Sequence, residues 1–532
     1  MGFNILRPES TNRAIALSLI LSLIAKVLTF VQSLIISYAF GTQESTDILF
    51  YAVSFILLIT SFPLFLNQQI VVPVSIDIRN NISEDESKRF IFYVYLIYFF
   101  IGVIFTFILL LEPVKTISIF SKFEIESIHR NLNVIRYILL SFIFIVINSF
   151  MLDIFVAYKY FSFPMLMDMA KNILVIVCVL VLKDKFNVLS LAIGILIGNA
   201  AQFIILNVFM FAKIKLKVSF KPYRISSLVK RNLIYVFSGQ VTSFLNGFVV
   251  MYLLSGFSAG IYTAVDYGQK ISNLFAAVVI GQITTVVGVN FIELFTKKDY
   301  GNLNNMFIGY LKKSLFFIIP ACFIMSLNSE IIISVVFGRG RFGHDSVVLV
   351  SKFFRYFIMS VPMLLINGFL VKMIVAAQIQ KVAFLWQSLY NILFSGILYL
   401  LISYYGYSGY PIGNLIAYSV YTISLLYYLL KVHFVYIDLP KIIKTISYNL
   451  VINLCIFFTL NFILQFIIVK DYKNFLNIIV GACSTLVYVG ILLVISYRIE
   501  DNRDIFTSIN YYLKKGFAFI NKLNKFTGKE LY

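Results

Sequence analysis

Runs of about twenty apolar residues recur along this chain from end to end, and few folds can accept them. A helix needs about 20 such residues to cross the hydrocarbon core of a bilayer. Candidate spans cover residues 14–40, 47–76, 90–111, 132–157, 163–182, 187–212, 232–254, 258–292, 314–327, 346–377, 382–403, 409–430, 445–469 and 474–497, the ninth being the shortest. Hydrophobic residues make up 60% of the chain and charged residues 13%, against about 25% charged in soluble domains. The mean hydropathy is +0.91. Too little polar surface exists to wrap that much oil in water, so lipid must be the solvent. The fold class expected is all-α: a polytopic membrane protein with about 14 transmembrane helices. The run at 14–40 is too long for the core of a secretory leader, contains Lys26, and is followed by no small-residue cleavage site, so it is expected to stay as a span.

An even number of spans puts both termini on one side. With the termini in the cytoplasm, 28 of the 44 Lys and Arg residues fall in cytoplasmic segments, 9 in outer loops and 7 within or at the edges of helices. That asymmetry is the positive-inside pattern. Two segments dominate it: Lys213 to Arg231, and the tail from Arg498. The net charge of +20 then reflects topology and attraction to anionic lipid, not nucleic acid, for which no stacking motif or soluble basic domain is present. Residues 506–526 alternate apolar and basic positions and are expected to form an interfacial amphipathic helix. Cys178, Cys322, Cys455 and Cys483 lie singly in apolar runs, so neither a disulfide framework nor a zinc site is expected, nor any other metal or cofactor.

The chain writes one passage twice. RYILLSFIFIVINSF (136–150) returns as RYFIMSVPMLLINGF (355–369), with Arg136, Tyr137, Ser141, Ile147, Asn148 and Phe150 matched by Arg355, Tyr356, Ser360, Ile366, Asn367 and Phe369. The register continues to Asn172 and Asn391 and, with a shortened loop, to Gly198-Asn199 and Gly413-Asn414. KVLTFVQSLIISY (26–38) likewise lies over QVTSFLNGFVVMY (240–252), setting Gln32 over Asn246. Polar positions that match in register exceed what shared oiliness produces. Two six-helix lobes follow, 1–219 and 220–435, with helices 13–14 (436–498) and the basic tail (499–532) outside the repeat. Since six is even, the lobes are parallel repeats about an axis along the membrane normal, an architecture of alternating-access transporters whose site lies between repeats near mid-membrane.

Charges within spans mark that site, because a Lys or Arg at the bilayer centre costs about 2.5–3.5 kcal/mol on insertion scales. The basic set is Lys26, Arg136, Lys171, Lys270, Lys352, Arg355 and Lys372; Asp153, Asp168 and Asp266 are the deep acids, with Asp47 and Glu293 near helix ends. Asp168–Lys171 and Asp266–Lys270 can pair on single helix faces. Arg136, Lys352 and Arg355 sit where snorkelling to the outer surface suffices. Lys26, Lys270 and Lys372 lie deeper, and Asp153, the repeat equivalent of Lys372, could reach it across the lobes. The excess of ammonium groups favours an anionic ligand such as phosphate or pyrophosphate. The cavity candidates are Lys26, Gln32, Asp47, Asn246, Asp266, Lys270 and Lys372; Asp153, Asp168 and Asp266 are the acids available to a coupling cation. Asn148 and Asn367 are better explained as interhelical hydrogen bonds, Gly194 and Gly198 as helix packing, and Pro164, Pro320 and Pro362 as kinks or helix starts.

The opening segment KVLTFVQSLIISYAFGTQESTDILFYA, with Phe40-Gly41 and Thr46-Asp47, resembles that of the lipid II flippase family (MurJ, also called MviN) of the multidrug/oligosaccharidyl-lipid/polysaccharide exporter superfamily. SGFSAGIYTAVDYGQKI (255–271) and VFGRGRFGHDSV (336–347) resemble the family's turn into helix eight and its loop before helix ten. The resemblance covers almost the whole chain. It implies a flippase that carries an undecaprenyl-pyrophosphate-linked saccharide across the bacterial cytoplasmic membrane by alternating access, without covalent chemistry. It implies that basic residues contact the pyrophosphate and that helices 13 and 14 form a groove for the polyprenyl tail. This chain departs from the family at three places. Lys26 keeps the first of two basic residues in helix one while Gln32 replaces the second; Thr60 and Ser61 replace an arginine pair in helix two; and Lys270 is the nearest basic residue to the arginine after the helix-eight turn. A drug/cation antiporter on the same fold is the alternative reading. A membrane glycosyltransferase has only the thin loop 112–130 to draw on, with Glu112, Glu124, Glu126 and His129, and GRGRFG (338–343) lacks the GK[ST] ending of a phosphate loop.

Overall fold

The computed structural model describes residues 11–220, 227–467 and 475–497, and among these every regular element is a helix. The tail expected to lie along the interface, and residues 221–226 of the basic segment, fall outside the described residues. In chain order the helices are α1 (Thr11–Phe40), α2 (Glu44–Leu66), α3 (Val72–Asn81), α4 (Glu84–Leu111), α5 (Pro113–Phe120), α6 (Ile125–Arg130), α7 (Leu132–Ala157), α8 (Ser162–Phe186) and α9 (Leu189–Phe209). There follow α10 (Ser227–Leu254), α11 (Ile261–Thr296), α12 (Tyr300–Leu327), α13 (Ser329–Phe337), α14 (His344–Met359), α15 (Val361–Ala376), α16 (Gln380–Tyr405), α17 (Gly409–Val432), α18 (Leu439–Ile467) and α19 (Phe475–Tyr497). Eleven stretches among the described residues are long and apolar enough to cross a bilayer. Lys381–Val432 counts once there although it holds α16 and α17, and Gly239–Leu254 and Val287–Thr296 are shorter apolar pieces. The ninth span, short by hydropathy, is a helix of 28 residues, because residues 300–313, with Asn302, Asn304, Asn305, Lys312 and Lys313 among them, carry it beyond its apolar run. The chain is a multi-pass membrane protein. Phe100, Ile104, Phe107, Ile108 and Leu111 stand exposed along α4, as lipid-facing side chains do.

Local chemistry sets the helix boundaries. Ser83 accepts a hydrogen bond from the Glu86 N–H at 3.1 Å and starts α4, with Glu84, Asp85 and Glu86 facing its positive end. Asp299 caps α12 through the Asn302 N–H at 3.2 Å. Pro362 occupies the first turn of α15, two residues past the break from α14 at Ser360, where its missing N–H costs nothing. Between α2 and α3 the rod makes a π turn over Asn67–Val71, and this turn carries the fully buried Asn67.

Contacts divide the chain into two compact units, one holding residues up to Ile292 with Ile332–Leu426, the other Glu293–Ile331 with the chain from Tyr427 onward. In the second unit α12 packs along α18, with Phe323 edge-on to Phe457 at 5.3 Å, and Tyr488 of α19 donates to Asn453 Oδ1 of α18 at 2.8 Å.

Within the first unit several positions matched by the doubled passage make corresponding hydrogen bonds. Asn172 of α8 donates to Thr29 of α1 at 3.1 Å, and its counterpart Asn391 of α16 donates to Ser243 of α10, the counterpart of Thr29, at 2.9 Å. Ser141 and Ser360 bond back to the carbonyls of Ile138 and Phe357 at 2.6 and 2.7 Å. Asn148 donates to the Asn199 carbonyl and to Gln202, whereas Asn367 donates to the Tyr418 hydroxyl, so both bridge helices as expected. Gly194 and Gly198 bring α9 against α8, where added Cβ atoms would meet Cys178 and Lys171 at 3.1 Å.

Candidate functional site

A cavity of about 560 Å³ lies among α1, α8 and α11, all within the first unit. Helical spacing explains its lining. Lys26, Thr29, Phe30 and Ser33 form one stripe of α1; Asp168, Lys171 and Asn172 form one of α8; Lys270, Asn273, Leu274 and Ala277 form one of α11. Each set follows the i, i+3, i+4 pattern that places side chains on one helix face. Gln32 stands six residues from Lys26, off that stripe, and does not line the cavity.

Three ammonium groups therefore meet in one hollow. Lys270 pairs with Asp266 at 2.6 Å and lies 4.6 Å from the Phe50 ring centroid, so a carboxylate and an aromatic face hold it. Lys171 pairs with Asp168 at 3.2 Å, and Gln202 donates to the same Asp168 oxygen at 3.1 Å. Lys26 makes no ion pair or hydrogen bond to a described residue. Counting Asp266, the group carries three positive charges against two negative ones. Such a surplus in low-dielectric surroundings attracts an anion.

Aromatic rings pack beside the cavity. Phe30 touches Phe337 at 6.2 Å, and Tyr267 meets Phe50, Phe337 and Phe342 at 5.8, 5.1 and 5.8 Å. Asp47 lies among the polar contacts that join the α1–α2 turn to the start of α11, away from the cavity lining. It is 2% exposed and accepts from the Gly260 N–H at 2.6 Å, the Thr263 N–H at 2.7 Å and the Thr263 hydroxyl at 2.5 Å. Gly260 begins α11 with φ of +92°, a conformation suited to glycine. Glycine has no side chain to cap the helix, and Asp47 supplies the cap from another helix. Thr42 and Ser346 share a hydrogen bond of 2.7 Å, and the Arg341 N–H donates to the Tyr38 carbonyl at 3.0 Å. The GRGRFG loop thus serves as a packing element against the α1–α2 turn.

The remaining candidates lie elsewhere. Asn246 bonds to Asn391 and Ser395 on α16. The Lys372 side chain runs over Gly288, where an added Cβ would strike its Cδ at 2.8 Å. Asp153 accepts from Asn67 at 2.7 Å and from Gln68 at 3.5 Å, and no ion pair joins it to Lys372 among the described residues. Of the cavity candidates, Lys26 and Lys270 line the hollow, with Asp266 bound to Lys270. The lining adds Asp168, Lys171 and Asn172, foreshadowed by the i, i+3 charge pair and the repeat, and Asn273, whose one signal is its position three residues after Lys270.

A family model described as "Lipid II flippase MurJ" matches residues 36–481. The chain belongs to the lipid II flippase MurJ family. Most of α1, Lys26 included, precedes the matched residues. A relative from Borreliella burgdorferi, "Probable lipid II flippase MurJ", is 23% identical over 323 residues, 58% of this chain and 62% of that protein. A relative of the same description from Buchnera aphidicola subsp. Baizongia pistaciae is 25% identical over 364 residues, covering 64% of this chain and 68% of its own length. The chain thus spans less than two thirds of the Borreliella protein. Among solved structures, "Lipid II flippase MurJ, inward closed conformation" aligns with a TM-score of 0.73 at 20% identity, over 91% of this chain and all of that one. An inward-facing multidrug resistance MATE transporter of the MOP superfamily aligns at 0.59 with 13% identity, over 76% and 93%. These structural likenesses concern the fold.

Proposed function

We propose that this MurJ-family chain is a flippase for a polyprenyl-pyrophosphate-linked saccharide, either lipid II or a related unit for a surface polymer. The observation that carries the reading is the cavity on α1, α8 and α11, where Lys26 is unpaired among the described residues and ammonium groups exceed carboxylates. A pyrophosphate headgroup supplies the missing negative charge, and lysines bind it as point charges. The cycle needs no bond making and no cofactor, so the chain is a transporter and not an enzyme. It works in the bacterial cytoplasmic membrane with both termini inside, the orientation that the distribution of Lys and Arg favours. The lobes 1–219 and 220–435 act as the moving repeats, and anionic lipids surround the basic cytoplasmic segments.

In this reading the Asp47 cap and the Thr42–Ser346 contact hold the outer ends of the two repeats together. Flipping then requires the cap to break, so that the cavity opens on the other face. The deep acids Asp153, Asp168 and Asp266 are each already engaged by amides or a lysine, and a coupling cation at any of them would have to displace those partners.

Purified protein reconstituted in liposomes should move fluorescent lipid II or undecaprenyl-pyrophosphate-linked saccharide between leaflets, and Lys26→Ala should lose this activity. A drug/cation antiporter would instead drive dye efflux and leave the lipid in place; that result would overturn the proposal.

A further inference from the structure

The spacing of Lys171 from Asp168 predicts a pairing on one helix face, and the structure gives the lysine more connections than that role needs. A chain of hydrogen bonds runs from the buried interior of the first repeat to its ammonium group. Asn148 Nδ2 donates to the Asn199 carbonyl at 2.9 Å and to Gln202 Oε1 at 3.2 Å. With that oxygen occupied, Gln202 must turn its Nε2 outward, where it donates to Asp168 Oδ1 at 3.1 Å. Asp168 Oδ1 also receives Lys171 Nζ at 3.2 Å. Asn148 and Gln202 are buried, at 2% and 3% exposure, while Asp168 and Lys171 line the cavity. Gly198 leaves room for the lysine stem, since an added Cβ there would meet Lys171 Cγ at 3.2 Å. The far end of the relay is buried and its near end is a cation that lines the cavity with Lys26.

We propose that Lys171 is a second anion-contacting residue of the cavity, and that Asn148, Gln202 and Asp168 are positioning residues that aim it. The inference rests on the reading of the cavity as a pyrophosphate site. Lys171 reaches the hollow from α8 and sets a second ammonium group beside Lys26 of α1. Asn367 bonds to a tyrosine instead, and among the described residues the relay is found in the first repeat. A phosphate oxygen completes the coordination of the ammonium group, which has three donors.

The test is equilibrium binding of radiolabelled undecaprenyl pyrophosphate to the purified full chain in nanodiscs, with uncharged undecaprenol as the control. Losing one charge-assisted contact weakens binding by about tenfold to a hundredfold. Lys26→Ala and Lys171→Ala should each do so for the pyrophosphate lipid and not for undecaprenol, and Lys171→Arg should recover most of the loss. Gln202→Ala should weaken binding in the wild-type background and have no further effect beside Lys171→Ala. A lysine that only neutralised Asp168 would behave differently: Asp168→Asn with Lys171→Met would then bind as wild type, and that outcome overturns the inference. So does wild-type affinity in Lys171→Ala while Lys26→Ala is impaired, which leaves the reading of the cavity standing. If the wild-type chain fails to prefer the pyrophosphate lipid over undecaprenol, the reading fails and the inference with it.

Discussion

Replacing Asp47 with asparagine should release the junction between the α1–α2 turn and α11. The carboxylate accepts three hydrogen bonds, from Gly260 N, Thr263 N and the Thr263 hydroxyl, at 2.5–2.7 Å. Removing its charge forfeits about 1–2 kcal/mol of attraction to a helix N-terminus in a buried setting. The new amide also turns an NH₂ toward one of three donors, and a lost bond to a charged acceptor is worth about 1.5–3 kcal/mol. Together these come to about 3 kcal/mol, so the ratio of open to closed junctions should rise on the order of a hundredfold. Thr263→Val keeps both backbone bonds and removes one hydroxyl, which should shift the ratio by roughly tenfold. Nitroxide labels at Ser45 and Ser258, in a background with the four free cysteines Cys178, Cys322, Cys455 and Cys483 replaced, would report the two populations as a distance distribution. Asp47→Asn should add a long-distance population and Thr263→Val a smaller one. An Asp47→Asn distribution superposable on the parent would refute the claim that this cap holds the junction closed.

Other substitutions test the supporting packing. Gly41→Ala should cost about 1–2 kcal/mol from its φ of +62° alone, and more because the new Cβ would lie 2.5 Å from the Arg341 carbonyl oxygen; a fall in thermal unfolding temperature measures it. Lys270→Met should strand Asp266 without its partner at 2.6 Å and lower stability by about 1–3 kcal/mol, and the further change Asp266→Asn should restore most of it. Tyr488→Phe should cost about 1 kcal/mol or more in thermal unfolding, because Asn453 Oδ1 is left buried without the hydroxyl that serves it.

Hydropathy made the helices legible because lipid imposes one rule on every backbone group, and the interhelical roles of Asn148 and Asn367 were legible because an amide within a span must find a partner on a neighbour. The cavity was only half legible. Lys26 and Lys270 announce themselves as charges in oil, but Asn172 and Asn273 are ordinary amides until three helices converge. Lys372 carries the same signal as Lys26 and yet lies over Gly288, since a lone basic residue in a span does not say which neighbour its stem will cover. Asp47 was the hardest to place. Its partners are backbone N–H groups at the start of α11, which have no letter in a sequence. The ninth span is longer than its hydropathy for a related reason: the apolar run stops at the first polar residues, whereas hydrogen bonding carries the helix through them.

The choice of partners by Asp47 bears on how this junction can drift. Gly260 and Thr263 offer main-chain donors, and every amino acid except proline keeps one. Mutation on that side can erase the Thr263 hydroxyl but hardly the attraction itself, while on the other side a single codon holds nearly all of it. Vulnerability is therefore lopsided: homologous chains should vary more readily at Thr263 than at the acid that meets it, while Gly260 is held by its own backbone angle.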